Sequence, residues 1–122
     1  MLQNILLVGI GSMLGGISRY LISDWLKHLF PMSFPLGTFT VNIIGCFLIG
    51  MLSGIFASKG SQVHHLLFAV GFCGSFTTFS TFSLENLQLL SMKAYAIFSL
   101  NVGLSVIFGI IIAGLGYMLI TK

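Results

Sequence analysis

The stretch from Gly71 to Ser83 combines more chemically useful residue types than any other part of this chain. It contains six hydroxyl residues, two glycines, four phenylalanines and one cysteine, without a charge. A hydroxyl group at bilayer depth needs a protein partner, because lipid offers no hydrogen bonds. Two nearby glycines weaken a helix by about 1 kcal/mol each. The pattern is typical of an interrupted helix that forms an ion site, and it fits a glycine-rich packing seam between helices equally well.

Asparagines stand inside two further apolar stretches. Asn42 follows Thr40, and Asn101 precedes Ser105 by four residues, so that the last two share one helix face. A buried amide in a membrane helix is costly unless it is paired, and it often lines a polar path. Asn42 is therefore a candidate pore residue, with a helix–helix hydrogen bond as the alternative. Asn101 and Ser105 form a candidate polar stripe.

Two phenylalanines enclose two hydroxyl residues near the end of the motif. Phe79 and Phe82 are three residues apart and share a helix face. Core packing explains that spacing more often than function does. Ser80 and Thr81, between them, point elsewhere on the helix.

Arg19 and Glu85 are charged residues at the ends of apolar stretches. An arginine there reaches the membrane interface with its long side chain, or it holds an anion or a carboxylate. Glu85 is one of only two acidic residues in the chain.

Other chemistry is nearly absent from the sequence. Cys46 and Cys73 are too dispersed for a zinc site, and the adjacent His64 and His65 cannot share a helix face. No phosphate-binding loop or acid–base pair is present, which predicts that the protein is not an enzyme. The net charge of +3 is spread over the ends of apolar stretches, so no nucleic-acid partner is expected.

The composition indicates an all-α integral membrane protein. Of 122 residues, 57% are hydrophobic and 6% are charged, which is too few charges to cover a soluble domain. Four apolar stretches approach the ~20 residues that cross a bilayer as a helix. They predict one domain over residues 1–122, with helices at about 2–24, 36–58, 64–90 and 94–121. The first stretch lacks a basic start and a cleavage site, and we expect it to be retained.

Lysines are balanced between the two sides of the predicted bundle. With four alternating helices, Lys59 and Lys122 share one side, while Lys27 and Lys93 share the other, with Arg19 near them. Orientation normally follows an excess of Lys and Arg in cytoplasmic loops. The balance predicts insertion in both orientations and a dimer of inverted copies, although a small bias would still fix one topology.

Small residues four apart occur on three of the predicted helices. The pairs are Gly11/Gly15, Gly50/Gly54 and Gly109/Ala113. Such pairs allow close helix packing, either between subunits or inside one protomer. A two-fold dimer is the commonest assembly.

Three motifs in the first, second and third helices are distinctive. They are Gly15-x-x-x-Arg19-Tyr20, Gly37-Thr38-Phe39-x-Val41-Asn42-x-x-Gly45 and Gly71-Phe72-Cys73-Gly74-Ser75-Phe76-Thr77-Thr78-Phe79-Ser80-Thr81-Phe82. With them the chain closely resembles the Fluc (CrcB) fluoride channels over its whole length. The resemblance implies an antiparallel, dual-topology homodimer in the inner (plasma) membrane of a microbe, with a third helix broken mid-membrane. It further implies two pores that export fluoride passively, lowering its toxicity, and a central structural Na⁺.

The resemblance also implies roles for particular residues. Gly74 and Thr77 would offer backbone carbonyls to Na⁺, Phe79 and Phe82 would contact fluoride through their rings, and Asn42 would be the pore amide.

Further roles follow for residues around these. Ser80, Thr81 and Ser105 would add hydroxyls near the path, and Arg19 would stand at the vestibule. Glu85 fits a family position after the second phenylalanine.

Two positions depart from the family pattern. Asn101 stands where many members have tyrosine, and Gly109 stands where a second serine is common.

Two other classes of protein fit the size of the chain. A small multidrug exporter has four spans and dual topology, but it needs a carboxylate in the first span, where this chain has no acid before Asp24. The second class is a non-transporting subunit of a membrane assembly. The polar residues inside the spans argue only mildly against it. Anion flux would separate the three classes.

Overall fold

The computed structural model describes residues 1–122, all of them in helices or short connectors. The helices are α1 (Leu2–Leu29), α2 (Leu36–Lys59), α3 (Gln62–His64), α4 (Gly74–Phe76), α5 (Phe79–Ser91) and α6 (Tyr95–Thr121), and a π-helical segment (His65–Cys73) joins α3 to α4. α1, α2, the run Gln62–Ser91 and α6 are each long and apolar enough to cross a membrane. The predicted all-α membrane protein with four spans is confirmed.

Short connectors reverse the chain between the spans. α1 continues to Leu29, beyond the predicted end at residue 24, and stops just before Phe30 and Pro31. Pro35 precedes the first residue of α2, where its fixed φ and missing N–H cost nothing. Between α5 and α6, Lys93 turns the chain with a φ of 58°. Successive spans are therefore antiparallel.

Glycines bring α1 into backbone contact with the third span. A Cβ atom on Gly11 would overlap the carbonyl oxygen of Leu67, and one on Gly15 would overlap that of Phe72. α1 can therefore lie directly on the π-helical segment, which it could not do with larger residues at these positions.

α2 and α6 pack together in the same manner. A Cβ atom on Gly50 would overlap the carbonyl oxygen of Ala113, and one on Gly116 would overlap that of Phe47. Gly109 lies against the sulfur of Cys46. Of the two uses predicted for small residues, these positions and those on α1 serve packing within the protomer.

Candidate functional site

The helix of the third span stops at Phe76 and starts again at Phe79. Thr77 and Thr78 between them are extended, with φ and ψ of −88° and 158° and of −149° and 123°. Two extended residues inside a helix free backbone N–H and C=O groups of the adjoining turns. The interruption predicted between Gly71 and Ser83 is present at this point of the chain.

Asn42 binds the interruption from α2. Its Nδ2 donates to the carbonyl oxygen of Thr78 at 3.1 Å, and its Oδ1 accepts from the Thr78 N–H at 2.8 Å. The side-chain amide thus satisfies both backbone groups of one residue, as a neighbouring strand would. Because an amide nitrogen carries two hydrogens, one N–H of Asn42 stays available for another acceptor.

Carbonyl groups are released where the helix stops, among them those of Gly74 and Thr77. In a continuous helix the Thr78 N–H would bond to the Gly74 carbonyl, but here it bonds to Asn42. The Thr77 carbonyl oxygen accepts no hydrogen bond, and the Thr77 hydroxyl donates to the Cys73 carbonyl at 2.9 Å. Unwound backbone carbonyls of this kind coordinate Na⁺ in membrane proteins, so Gly74 and Thr77 fit the ligand role predicted for them.

The hydroxyls of the motif cluster around Thr78 at the start of α5. Thr78 Oγ1 accepts from the Thr81 N–H at 3.2 Å and so caps the helix. The same oxygen donates to Thr81 Oγ1 at 3.2 Å and lies 3.3 Å from Ser80 Oγ. Ser80 and Thr81 therefore support the start of α5.

Arg19 reaches the interruption from α1. Its Nε donates to the Ser75 carbonyl oxygen at 3.0 Å. Carbonyls at the end of a helix carry partial negative charge, which favours a cation there. Arg19 therefore stabilises the end of α4.

A groove of about 450 Å³ opens beside the interruption. Its walls come from α2, the third span and α6, and its lining residues are Asn42, Gly45, Cys46, Ile49, Ala69, Cys73, Gly74, Thr77, Thr78, Phe79, Phe82, Ser105 and Val106. The groove joins an amide, three hydroxyl residues, two aromatic rings and the residues whose carbonyls are released. It carries no charged side chain.

Phe79 and Phe82 both line the groove. Their ring centroids are 5.9 Å apart and the ring planes are tilted by 35°. Phe79 is 80% exposed in the single chain, which is unusual for a ring that only packs in a core. The edges of such rings carry partial positive charge and can contact an anion.

Asn101 does not reach the groove. It is 1% exposed, and its Nδ2 donates to Asn86 Oδ1 at 3.0 Å. Asn86, itself 6% exposed, donates to the Phe82 carbonyl at 2.9 Å. Of the predicted stripe on α6, only Ser105 lines the groove, while Asn101 lies behind it.

Glu85 lies on a second cavity of about 690 Å³, near the junction of α1 and α2. Its Oε1 accepts from the Thr38 hydroxyl at 2.8 Å, and its Oε2 is buried without a hydrogen-bond partner. Lys27 and Asp24 line the same cavity. Glu85 is therefore separate from the groove that holds Asn42.

The structure brings six of the predicted site residues to one groove. They are Asn42, Gly74, Thr77, Phe79, Phe82 and Ser105. Arg19, Ser80, Thr81, Asn101 and Glu85 lie outside its lining.

The sequence reasoning missed several residues that the groove uses. Gly45, Cys46 and Ile49 follow Asn42 by three, four and seven residues, so helical spacing alone could have placed them on its face. Asn86, which lies behind the groove and does not line it, had a weaker signal, its spacing of four from Phe82.

Comparison with known proteins identifies the family. The model of the family described as CrcB-like protein, Camphor Resistance (CrcB), matches residues 6–117. The chain is 46% identical over 114 residues to a fluoride-specific ion channel FluC 2 of Bacillus cereus, covering 93% of this chain and 94% of the relative.

Two further relatives extend the match to nearly the whole chain. The fluoride-specific ion channel FluC of Campylobacter lari is 43% identical over 120 residues, covering 98% of both chains. That of Azobacteroides pseudotrichonymphae is 40% identical over 121 residues, covering 98% and 97%. These relatives are named as ion channels, not as enzymes, and with the family match they establish that this four-span chain belongs to the CrcB family.

Proposed function

We propose that this protein is a fluoride-selective channel that exports fluoride passively from the cytoplasm and so lowers its toxicity. The relatives named above are fluoride-specific ion channels. The observation that carries the proposal is the uncharged groove in which Asn42, Ser105, Phe79 and Phe82 meet at an interrupted helix. Membrane proteins form ion sites at such interruptions.

The groove offers hydrogen-bond donors without a fixed positive charge. Fluoride is small and holds water strongly, so a pore must replace its water contacts with donors. Asn42 keeps one N–H beyond its bond to Thr78, and Ser105 also lines the groove. The ring edges of Phe79 and Phe82 add partial positive charge. Conduction needs binding strong enough for entry and weak enough for exit, which neutral donors provide.

The proposal includes an antiparallel, dual-topology homodimer with two pores. The Thr77 carbonyl has no hydrogen bond and Phe79 is 80% exposed in the single chain. Lipid cannot satisfy a free backbone carbonyl, so a second copy covering this face explains the exposure. The interruption would then lie near the middle of the membrane. The lysine balance between the two sides of the bundle favours opposite orientations of the two copies.

A structural Na⁺ at the centre of the dimer belongs to the proposal. The carbonyl groups of Gly74 and Thr77, released by the interruption, are its expected ligands from each copy. A bound cation would supply positive potential beside the groove. The site of action would be the inner (plasma) membrane of a microbe, since the relatives with this function are bacterial proteins.

A small multidrug exporter remains disfavoured. Its proton coupling needs a carboxylate within the first span. The only acid of α1 is Asp24, in the last two turns of the helix, where its carboxylate lies 3.6 Å from the ring of His28. The groove around Asn42 contains no acid that could exchange protons for a cation.

Fluoride efflux from proteoliposomes tests the function. Vesicles loaded with potassium fluoride should release it through the wild-type protein when valinomycin balances the charge, and vesicles loaded with chloride should not. Ser58→Ala is a matched control, since Ser58 only bonds carbonyls of its own helix, α2. Equal chloride and fluoride release, or no fluoride release from folded protein, would refute the proposal.

Tag accessibility tests the dual topology. A tag after Lys122 should be cleaved by external protease in about half of the copies in sealed vesicles. Cleavage of all copies or of none would show a single orientation and contradict the antiparallel dimer.

A further inference from the structure

A chain of side-chain hydrogen bonds runs behind the groove from α5 to α6. Asn86 Nδ2 donates to the Phe82 carbonyl oxygen at 2.9 Å, and Asn101 Nδ2 donates to Asn86 Oδ1 at 3.0 Å. Ser105 Oγ donates to Asn101 Oδ1 at 3.5 Å. Both asparagines are nearly inaccessible, at 6% and 1% exposure, while Ser105 lines the groove. These hydrogen bonds thus connect the Phe82 carbonyl to the hydroxyl of Ser105, a residue that lines the groove.

The direction of these hydrogen bonds is fixed at the Phe82 carbonyl. A carbonyl oxygen can only accept, so Asn86 must turn its NH₂ group toward Phe82. Its amide oxygen then faces Asn101, which must present its own NH₂ group in return. The Asn101 oxygen therefore faces Ser105, and an amide oxygen can only accept. Ser105 has to donate its single proton to Asn101.

This direction matters because the groove must offer hydrogen-bond donors to an anion. While the Ser105 O–H donates to Asn101, the Ser105 oxygen presents its lone pairs to the groove. Lone pairs repel an anion. Its bond to Asn101 is long at 3.5 Å, compared with about 2.7 Å for a strong hydroxyl bond. An anion in the groove can therefore accept the Ser105 O–H in place of Asn101, but the two acceptors compete for this one donor.

We propose that Asn86 and Asn101 are positioning residues that weaken anion binding in the groove by holding the Ser105 proton. The inference rests on the proposed passage of fluoride along this groove. The pair would keep the ion from binding too tightly to leave, which is a requirement for conduction. The same two residues also join α5 to α6, so the test must separate affinity from packing.

Removing either amide should leave the Ser105 O–H free to donate to an anion in the groove. Asn101→Leu keeps similar bulk but deletes the acceptor. Asn86→Leu deletes the partner that fixes the Asn101 amide, which can then rotate and donate to Ser105. In both variants we expect the fluoride concentration for half-maximal flux to fall about threefold, the weak end of what one hydrogen bond contributes. Saturating flux should fall as well, because the ion leaves more slowly.

Two controls separate this effect from packing. Leu89→Ala removes a buried side chain from α5 without touching the hydrogen bonds, so it should lower stability and leave the half-maximal concentration unchanged. In a Ser105→Ala background, adding Asn101→Leu should no longer change that concentration. An unchanged half-maximal concentration in both leucine variants, or an equal change with Ser105 absent, would overturn the inference and leave the proposed function intact.

The hydrogen bonds can also be tested without transport. In the wild-type protein in micelles, the side-chain amide of Asn101 should exchange slowly with deuterium by NMR, and Asn86→Leu should speed this exchange at least tenfold. Fast exchange in the wild type would overturn the inference even if no variant assembles. Absence of fluoride flux in wild-type protein with a protected Asn101 amide would instead refute the proposed function, and with it the role in anion binding.

Discussion

Replacing Asn42 with leucine or aspartate separates its two roles. The amide donates to the Thr78 carbonyl at 3.1 Å and accepts from the Thr78 N–H at 2.8 Å. Leucine has similar bulk and makes neither bond. Aspartate keeps the acceptor for the N–H, as a charge-assisted bond, but loses the donor and places a negative charge on the proposed path. Stability and flux should therefore rank the two variants in opposite order.

The magnitudes follow from the groups left unpaired. A buried backbone group without a partner costs about 1–3 kcal/mol, so Asn42→Leu should lower the free energy of unfolding by about 2–6 kcal/mol. Asn42→Asp leaves only the Thr78 carbonyl unpaired and should cost about half of that. For flux, two like charges about 4 Å apart at an effective dielectric constant of about 20 repel by about 4 kcal/mol. That slows fluoride passage about a thousandfold in the aspartate variant.

Two assays on the same preparations check this ranking. Unfolding in mixed micelles, followed by circular dichroism, should give wild type above Asn42→Asp above Asn42→Leu. Fluoride efflux should be lowest in Asn42→Asp, while Ser58→Ala on the same helix should match the wild type in both assays. A leucine variant as stable as wild type would refute the reasoning that Asn42 supports the interruption at Thr78. Undiminished efflux through folded Asn42→Asp would show that Asn42 supports the interruption but does not face the ion path.

Three further perturbations test other parts of the protein. If the polarised rings of Phe79 and Phe82 contact fluoride, isoleucine at either position should cut efflux more than tenfold, and methionine should be tolerated better. Equal, near-normal efflux in both isoleucine variants would mean that the rings only pack. Gly15→Ala should lower the free energy of unfolding by about 1–3 kcal/mol, because its Cβ would overlap the Phe72 carbonyl, whereas Gly16→Ala meets open space and should raise it by up to about 1 kcal/mol. Equal stability of the two variants would contradict the close packing of α1. Thr77→Ser should change efflux little, because a backbone carbonyl is the proposed Na⁺ ligand. Prolonged removal of Na⁺ should abolish efflux. Full activity with no bound cation would rule out the ion site.

The hydrophobic pattern alone predicted the four spans of the fold. Hydropathy is a property of each local stretch, and a span that faces lipid must satisfy its backbone groups internally, which a helix does. The interruption between Gly71 and Ser83 was also foreseeable, since two glycines and a run of hydroxyls both disfavour a continuous helix there. The motifs that carry the family resemblance are likewise contained in the sequence.

Partners across the bundle were not foreseeable from the sequence. Asn42 and Thr78 are 36 residues apart, and nothing local indicates that one amide satisfies both backbone groups of the other residue. The small residues of α1 could have faced a second subunit equally well, yet Gly11 and Gly15 contact the third span of the same chain. Which neighbour covers a helix face depends on how the helices cross, and that geometry is set jointly by all of them.

For Asn101, helical spacing predicted only part of what the tertiary structure shows. Its spacing of four from Ser105 correctly places both on one side of α6, because helical periodicity fixes direction around an axis. Only the packing of α5 against α6 decides that Asn101 is covered by Asn86 while Ser105, one turn further along, remains on the groove wall. The sequence thus determined which residues could serve an anion path, and the tertiary structure decided which of them reach it, because burial depends on the surface of a second helix.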